Sequence, residues 1–191
     1  VYVFDFFNFI IKHGENNVFD FQNYLFGDIK ISLNYIPHLA NDFIPYIISF
    51  LGLTKKCIVV DLDNTLWGGI AGEDGFDGIR LGPQPPGNAF IEFQKYLKAL
   101  SQRGIILAIN SKNNFDDAIE IIRKHPHMVL QENDFACIKI NWNDKATNMR
   151  EISDELNIGL DSFVFFDDDP VNRELIKEIM PEITTPDIPH D

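Results

Sequence analysis

Residues 57–65 read Cys-Ile-Val-Val-Asp-Leu-Asp-Asn-Thr, and no other stretch limits more strongly what this chain can fold into. Four apolar, mostly β-branched residues suit a strand buried on both faces. Two carboxylates, Asp61 and Asp63, then appear where that strand should end. On a continuing strand, positions two apart share a face, so the pair would repel; past the strand end they converge on a common ligand. Either arrangement calls for a cation. Capping and turn chemistry are the plainer use of Asp, Asn and Thr at such a corner, and three later stretches weigh against it.

From residue 56 onward the pattern alternates strand and helix. Residues 105–109, Ile-Ile-Leu-Ala-Ile, predict a second buried strand running into Asn110 and Ser111. Met128-Val129-Leu130 predicts a short third strand, with residues 135–140 as a peripheral addition, and Phe163-Val164-Phe165-Phe166 a last one ending in Asp167, Asp168 and Asp169. Helical spacing marks Phe90, Phe93, Leu97 and Leu100, closed by Gly104. It recurs at Ala118, Ile121 and Ile122, and again at Ala146, Met149, Ile152 and Leu156. Asp169-Pro170 reads as an N-cap followed by a first-turn proline. Residues 68–87 hold seven glycines and three prolines, which predicts a loop or small flap rather than a long helix. Continuous apolar strands alternating with helices imply an α/β fold, a doubly wound parallel sheet covered on both faces. In such sheets ligands bind beyond the carboxyl ends of the strands where strand order reverses. Every polar cluster here falls at such an end.

Residues 1–53 read as an appendage, with the main domain over 54–191. Val1-Tyr2-Val3-Phe4-Asp5-Phe6 alternates as a strand would, and Ile36, Leu39, Ala40, Phe43, Ile44, Ile47, Ile48 and Leu51 recur at helical spacing up to Gly52, with a bend expected at Pro45. His13 and Asp5 are read as surface or core residues, and His38 as a helix-surface histidine. The chain opens on Val1 rather than Met, which points to a piece or processed product of a longer polypeptide.

With 191 residues, 45% of them hydrophobic and 17 of them Phe, the chain can bury a real and strongly aromatic core. A formal net charge of −13 argues against nucleic acid or an anionic membrane as partner. An anionic substrate would need a metal or a local basic group to hold it. No apolar run reaches the roughly 18 residues of a membrane span and no leader opens the chain, so a cytoplasmic location is expected. Cys57 and Cys137 lie in apolar runs without metal-ligand spacing and read as reduced packing residues.

Three strand ends thus supply Asp61 and Asp63, then Ser111, then Asp167 and Asp168, while Lys145 opens the helix before the last of these. Four carboxylates at one crevice repel unless a divalent ion holds them, and hard oxygen ligands suit Mg²⁺. Magnesium implies phosphate, with Ser111 donating a hydrogen bond and Lys145 supplying a point charge to a transferring phosphoryl group. Taken alone, Lys145 would be a solvated helix charge and Ser111 an N-cap.

Asp-Leu-Asp-Asn-Thr at 61–65, Ser111, Lys145 and Asp167-Asp168 resemble the four motifs of the haloacid dehalogenase (HAD) superfamily. Leu66-Trp67-Gly68-Gly69, Gly72-Glu73-Asp74-Gly75, Ser111-Lys112-Asn113, Asn141-Trp142 with Lys145-Ala146, and Leu156-Asn157-Ile158-Gly159 resemble its FkbH-like branch, over Lys56 to about Pro189. The resemblance implies a Rossmann-like core and a covalent mechanism: Asp61 attacks phosphorus, and Asp63 protonates the leaving oxygen and later takes a proton from water. It also implies Mg²⁺ held by the Asp61 carboxylate, the Asp63 backbone carbonyl and Asp168. Asp167 would act through water or pair with Lys145, and Thr65 would steady the loop. The chain departs from the family at Asp169, where members commonly carry Asn. It departs again in its short amino-terminal segment, which could be only the tail of the SGNH-like domain usual in that branch.

The stretches around the site leave room for little or no cap, so an open crevice is expected. Trp67, Arg80, Lys112, Asn113 and Trp142 lie near the strand ends, where they could contact a substrate; packing is an equal use for the tryptophans. The expected activity is a Mg²⁺-dependent phosphohydrolase acting on a phosphorylated metabolite, sugar or carrier-bound substrate. The alternatives are glyceryl transfer from a phosphoglyceryl donor to an acyl carrier protein, as in FkbH-like relatives, and a receiver-type phosphoacceptor module.

Overall fold

In this computed structural model residues 3–188 are described, and the fold divides between Thr54 and Lys55. The first unit is helical. Helix α1 (Phe6–His13) starts where the Asp5 carboxylate accepts from the Asn8 N–H at 2.9 Å, and α2 (Glu15–Val18), α3 (Phe21–Gly27) and α4 (Ile36–Phe50) follow. Over the described part of the stretch expected to be a strand, none is formed: Val3 to Asp5 carry no regular structure, and the Asp5 cap turns the chain into helix at Phe6. Val1 and Tyr2 lie outside the described residues. Pro45 sits inside α4, and none of that helix's side chains is buried.

The second unit begins with β1 (Cys57–Val60), α5 (Ala71–Gly78), α6 (Gly87–Gln102) and β2 (Ile106–Ser111). It continues through α7 (Phe115–Lys124), β3 (Phe135–Ile140), α8 (Lys145–Leu156), β4 (Phe163–Phe166) and α9 (Pro170–Ile179). The sheet order is β3-β2-β1-β4, with every pairing parallel. The chain steps outward from β1 to β3 and then returns to the far side of β1 as β4. The reversal therefore opens a crevice at the carboxyl ends of β1 and β4. Val60 pairs with Phe166 in register, so Asp61 and Asp167 leave the sheet side by side.

Alternation along the strands separates two cores. Ile58, Val60, Leu107 and Ile109 face a layer containing Leu97 of α6 and Ala118, Ile121 and Ile122 of α7. Cys57, Val59, Ala108, Phe163 and Phe165 face Ala146, Met149 and Ile152 of α8 and Ile176 of α9. After α9 the chain returns along the outer edge of β4, where the Phe165 N–H donates to the Thr184 carbonyl at 2.9 Å.

Two expectations are corrected. Met128–Leu130 is not a strand, although Met128 and Leu130 are buried. Two of its amides are taken by a side chain instead of a neighbouring strand, since Gln94 Oε1 accepts from Val129 N at 2.8 Å and from Leu130 N at 3.2 Å, and the Met128 N–H donates to the His125 carbonyl at 3.1 Å. The sheet edge is β3, the stretch read as peripheral. Residues 68–87 are not all loop either, since α5 forms within them, broken at Gly75 (φ 69°), where a left-handed backbone favours glycine.

Candidate active site

Asp61 leaves β1 with its N–H donating to the Phe166 carbonyl at 2.8 Å, which fixes the strand end against β4. Lys145, the first residue of α8, is buried with its side chain 1% exposed. Its Nζ lies 2.8 Å from Asp61 Oδ1 and 3.1 Å from Asp167 Oδ2, and donates to the Asn110 carbonyl at 2.7 Å. Both carboxylate contacts are ion pairs off hydrogen-bond alignment, so Asp61 Oδ1 and Asp167 Oδ2 are buried without an aligned donor. Carboxylate oxygens of Asp61, Asp167 and Asp168 all lie within 4.8 Å of one another. That is close to the roughly 4.2 Å across a small divalent cation with oxygen ligands at about 2.1 Å. An acidic, oxygen-only donor set with two under-satisfied buried oxygens fits such an ion.

Three carboxylates and one ammonium leave an excess of negative charge. Burial, and then the charges of Asp61 and Asp167, push the Asp168 carboxyl up to about 6. Burial also raises Asp167, against the pull of Lys145. Asp167 Oδ1 accepts from the Asp169 N–H at 2.9 Å, and Asp169 in turn caps α9 by accepting from the Val171 N–H at 2.9 Å. The Thr65 hydroxyl accepts from the Asp168 N–H at 3.2 Å, tying the two acidic loops together.

Asp63 is held apart from this cluster. Its Oδ1 accepts from Trp67 Nε1 and from the Ala71 N–H, each at 3.0 Å, and its Oδ2 accepts from Asn113 Nδ2 at 2.9 Å. Burial outweighs these hydrogen bonds and raises its pKa, with Asp61 adding to the rise. A carboxyl so placed can hold a proton more readily than a solvated one.

Of the residues read as substrate contacts, Asn113 is buried on Asp63, and Trp67 is fully buried with its indole committed to the same carboxylate. Arg80 is exposed, and its backbone pairs with Gly68. Lys112 is exposed, as is Trp142, whose Nε1 donates to Asn114 Oδ1 at 3.1 Å. Ser111 is buried at the end of β2.

Several residues to which sequence reading gave no role at the site support the cluster. Asn110 donates to the Lys145 carbonyl at 2.9 Å and accepts from Asn148 at 3.1 Å, and Asn148 exchanges hydrogen bonds with Asn141 at 3.0 and 3.1 Å. These three amides fix the start of α8, and so Lys145. Arg173 Nη1 donates to the Asp167 and Asp168 carbonyls, both at 2.7 Å. Asn110 adjoins the strand-end serine, which was a signal; a lone arginine in α9 carried none.

No family model and no curated protein matches the chain. Solved structures do. The N-terminal part of the protein BF1531 from Bacteroides fragilis, containing a phosphatase domain and complexed with Mg, is 43% identical over 96% of this chain, with a TM-score of 0.80. The chain spans about half of that structure, 49% of its length. A HAD-like family hydrolase of Porphyromonas gingivalis superposes with a TM-score of 0.52 at 12% identity, over 70% of this chain and 91% of its own. The HAD family enzyme bt-2542 of Bacteroides thetaiotaomicron gives 0.50 at 15% identity, over 71% and 94%. This is a HAD-like fold. In the HAD-like sheet the acidic cluster occupies the reversal between β1 and β4, and among the described residues no helix is long and apolar enough to cross a membrane.

Proposed function

We propose that the chain is a Mg²⁺-dependent phosphohydrolase that works through an aspartyl phosphate. The observation carrying this is the pairing of two unlike acids. Asp61 lies 2.8 Å from a buried lysine ammonium within a three-carboxylate cluster, whereas Asp63, two residues on, is raised and held off that cluster. Mg²⁺ held by Asp61, Asp167 and Asp168 would neutralise charge on the phosphoryl oxygens. Asp61 attacks phosphorus while the leaving oxygen takes the proton from Asp63. Asp63, now ionised, takes a proton from the water that attacks the acyl phosphate and frees Asp61. Trp67 and Asn113 aim the Asp63 carboxyl, Thr65 joins the two acidic loops, Lys145 orients Asp61, and Ser111 is assigned a phosphoryl oxygen.

The test is phosphate release from acetyl phosphate with and without Mg²⁺. Asp61→Asn should abolish turnover while circular dichroism and thermal unfolding show an intact fold. Full activity in that variant would remove Asp61 as nucleophile.

We assign the chain to the FkbH-like branch, with little or no cap, on the motif residues around Trp67, Ser111 and Lys145. Residues 1–53 would be the tail of an SGNH-like domain, supported by the large apolar side chains left exposed there, Phe7, Ile11, Phe26, Phe43 and Ile47 among them. The location would be cytoplasmic and the substrate a phosphorylated metabolite, sugar or carrier-bound group, reached by Arg80, Lys112 and Trp142 at the rim. Water is favoured over a carrier thiol relay within this chain, because burial pushes both Cys57 and Cys137 up to about 12 and leaves no thiolate to hold an acyl group. Direct transfer to an acyl carrier protein would be read as a mass shift of the carrier. A receiver-type module fits less well, since Asp63 supplies the base that would speed dephosphorylation.

A further inference from the structure

A cleft of about 620 Å³ opens beside the acidic cluster, lined by its Asp168 and by Thr65, whose hydroxyl accepts from the Asp168 N–H. Its walls are Phe90 and Phe93 of α6 and Phe166 at the end of β4, the last two meeting edge to face with centroids 5.5 Å apart. The volume lies in the roughly 300–1,000 Å³ range of small-molecule sites and far exceeds what a phosphoryl group needs. Charge limits what else can enter. Among the described residues no lysine or arginine lines the cleft, and its two acids are Asp168 and Asp187. Asp187 lies 3.3 Å from Lys177 Nζ and 3.8 Å from Arg173 Nε, so the cations nearest the cleft already face an acid. A second phosphate or a carboxylate on the substrate would meet apolar rings and like charge, with no lysine or arginine among the described lining residues to pair it.

We infer that this cleft holds the organic half of the substrate, an uncharged apolar group of at least aromatic-ring size, while the cluster holds its single phosphoryl group. The inference rests on the phosphohydrolase reading for the phosphoryl end only. The aromatic walls supply the affinity, because a ring that leaves water against Phe90, Phe93 and Phe166 gains from buried apolar area and from edge and face contacts. A polyol such as glycerol would have to give up its hydrogen bonds to water there and find few replacements.

Equilibrium binding to the Mg²⁺-loaded 191-residue chain tests this without requiring turnover. Benzylphosphonate and methylphosphonate share a headgroup and differ only in the ring, so calorimetry isolates the cleft. Benzylphosphonate should bind at least about tenfold more tightly. Ala89→Trp, at the exposed rim of the cleft on α6, should fill it and reduce that ratio to near one in a protein of unchanged thermal stability. Equal affinities in the unmodified chain, or an Ala89→Trp variant that weakens both ligands alike, would overturn the assignment. Turnover of acetyl phosphate decides the parent reading separately. A chain that hydrolyses it yet shows no ring preference loses the cleft alone, and one that prefers the ring without hydrolysing keeps the cleft and loses the phosphohydrolase.

Discussion

Replacing Lys145 with methionine removes the positive charge that lies between Asp61 and Asp167, and keeps most of the side chain's volume against the Phe165 ring, 5.8 Å from Nζ. At an effective dielectric constant near 20, the contacts at 2.8 Å and 3.1 Å correspond to gross Coulomb energies of about 6 and about 5 kcal/mol. Burying the ammonium offsets several kcal/mol of that. The variant, however, strands its partners, whose side chains are only 11% and 0% exposed. Breaking a buried pair in this way costs about 3–5 kcal/mol. The metal-free variant should lose that much in urea unfolding, followed by fluorescence of Trp67, the buried one of the two tryptophans. The sign of the pH dependence follows. Asp167 is already raised by burial, with Lys145 its chief opposing influence, and it should rise further. A carboxyl whose folded pKa exceeds its unfolded value of 3.8 costs stability above the folded pKa, and the cost disappears as pH falls toward the unfolded value. The gap between variant and parent should therefore narrow on acidification toward about pH 4. A loss below about 1 kcal/mol with an unchanged pH profile, as a solvated helix lysine would give, would refute the reasoning.

Two further outcomes follow from the same geometry. Added Mg²⁺ should raise the melting temperature more above pH 6 than below it, because Asp168 titrates near 6 in the metal-free site and a proton there competes with the cation; a shift independent of pH would remove Asp168 from the ligand set. Gln94→Leu should cost about 3–9 kcal/mol, since the Leu66 carbonyl and the Val129 and Leu130 amides would each lose their partner at about 1–3 kcal/mol. A change within the roughly 0.5 kcal/mol of a surface substitution would show that water replaces the glutamine.

The strands that carry the acids were legible because their signal is local: apolar residues in succession, then carboxylates where the ladder ends. Asp61, Asp63, Asp167 and Asp168 needed nothing more to be picked out, and alternation with helices was enough for a parallel sheet. Met128–Leu130 misled because its apolar content also suits a strand. What makes it irregular is a glutamine about 35 positions earlier. The opening alternation misled for the converse reason, since a single capping aspartate outweighs it where, among the described residues, no strand pairs with Val3 to Asp5.

What the amino-acid order determined by itself was the inventory of chemistry and its placement at strand ends, both set by neighbours a few bonds away. Tertiary structure alone decided how that chemistry is divided. It buried Lys145 between two acids, turned Asp63 toward Trp67 and Asn113, recruited Asn110, Asn148 and Arg173 as supports, and set an aromatic cleft beside Asp168. Most of those outcomes depend on charge and hydrogen bonding acting through space at about 3 Å between residues far apart in the chain, distances that no spacing in the sequence encodes.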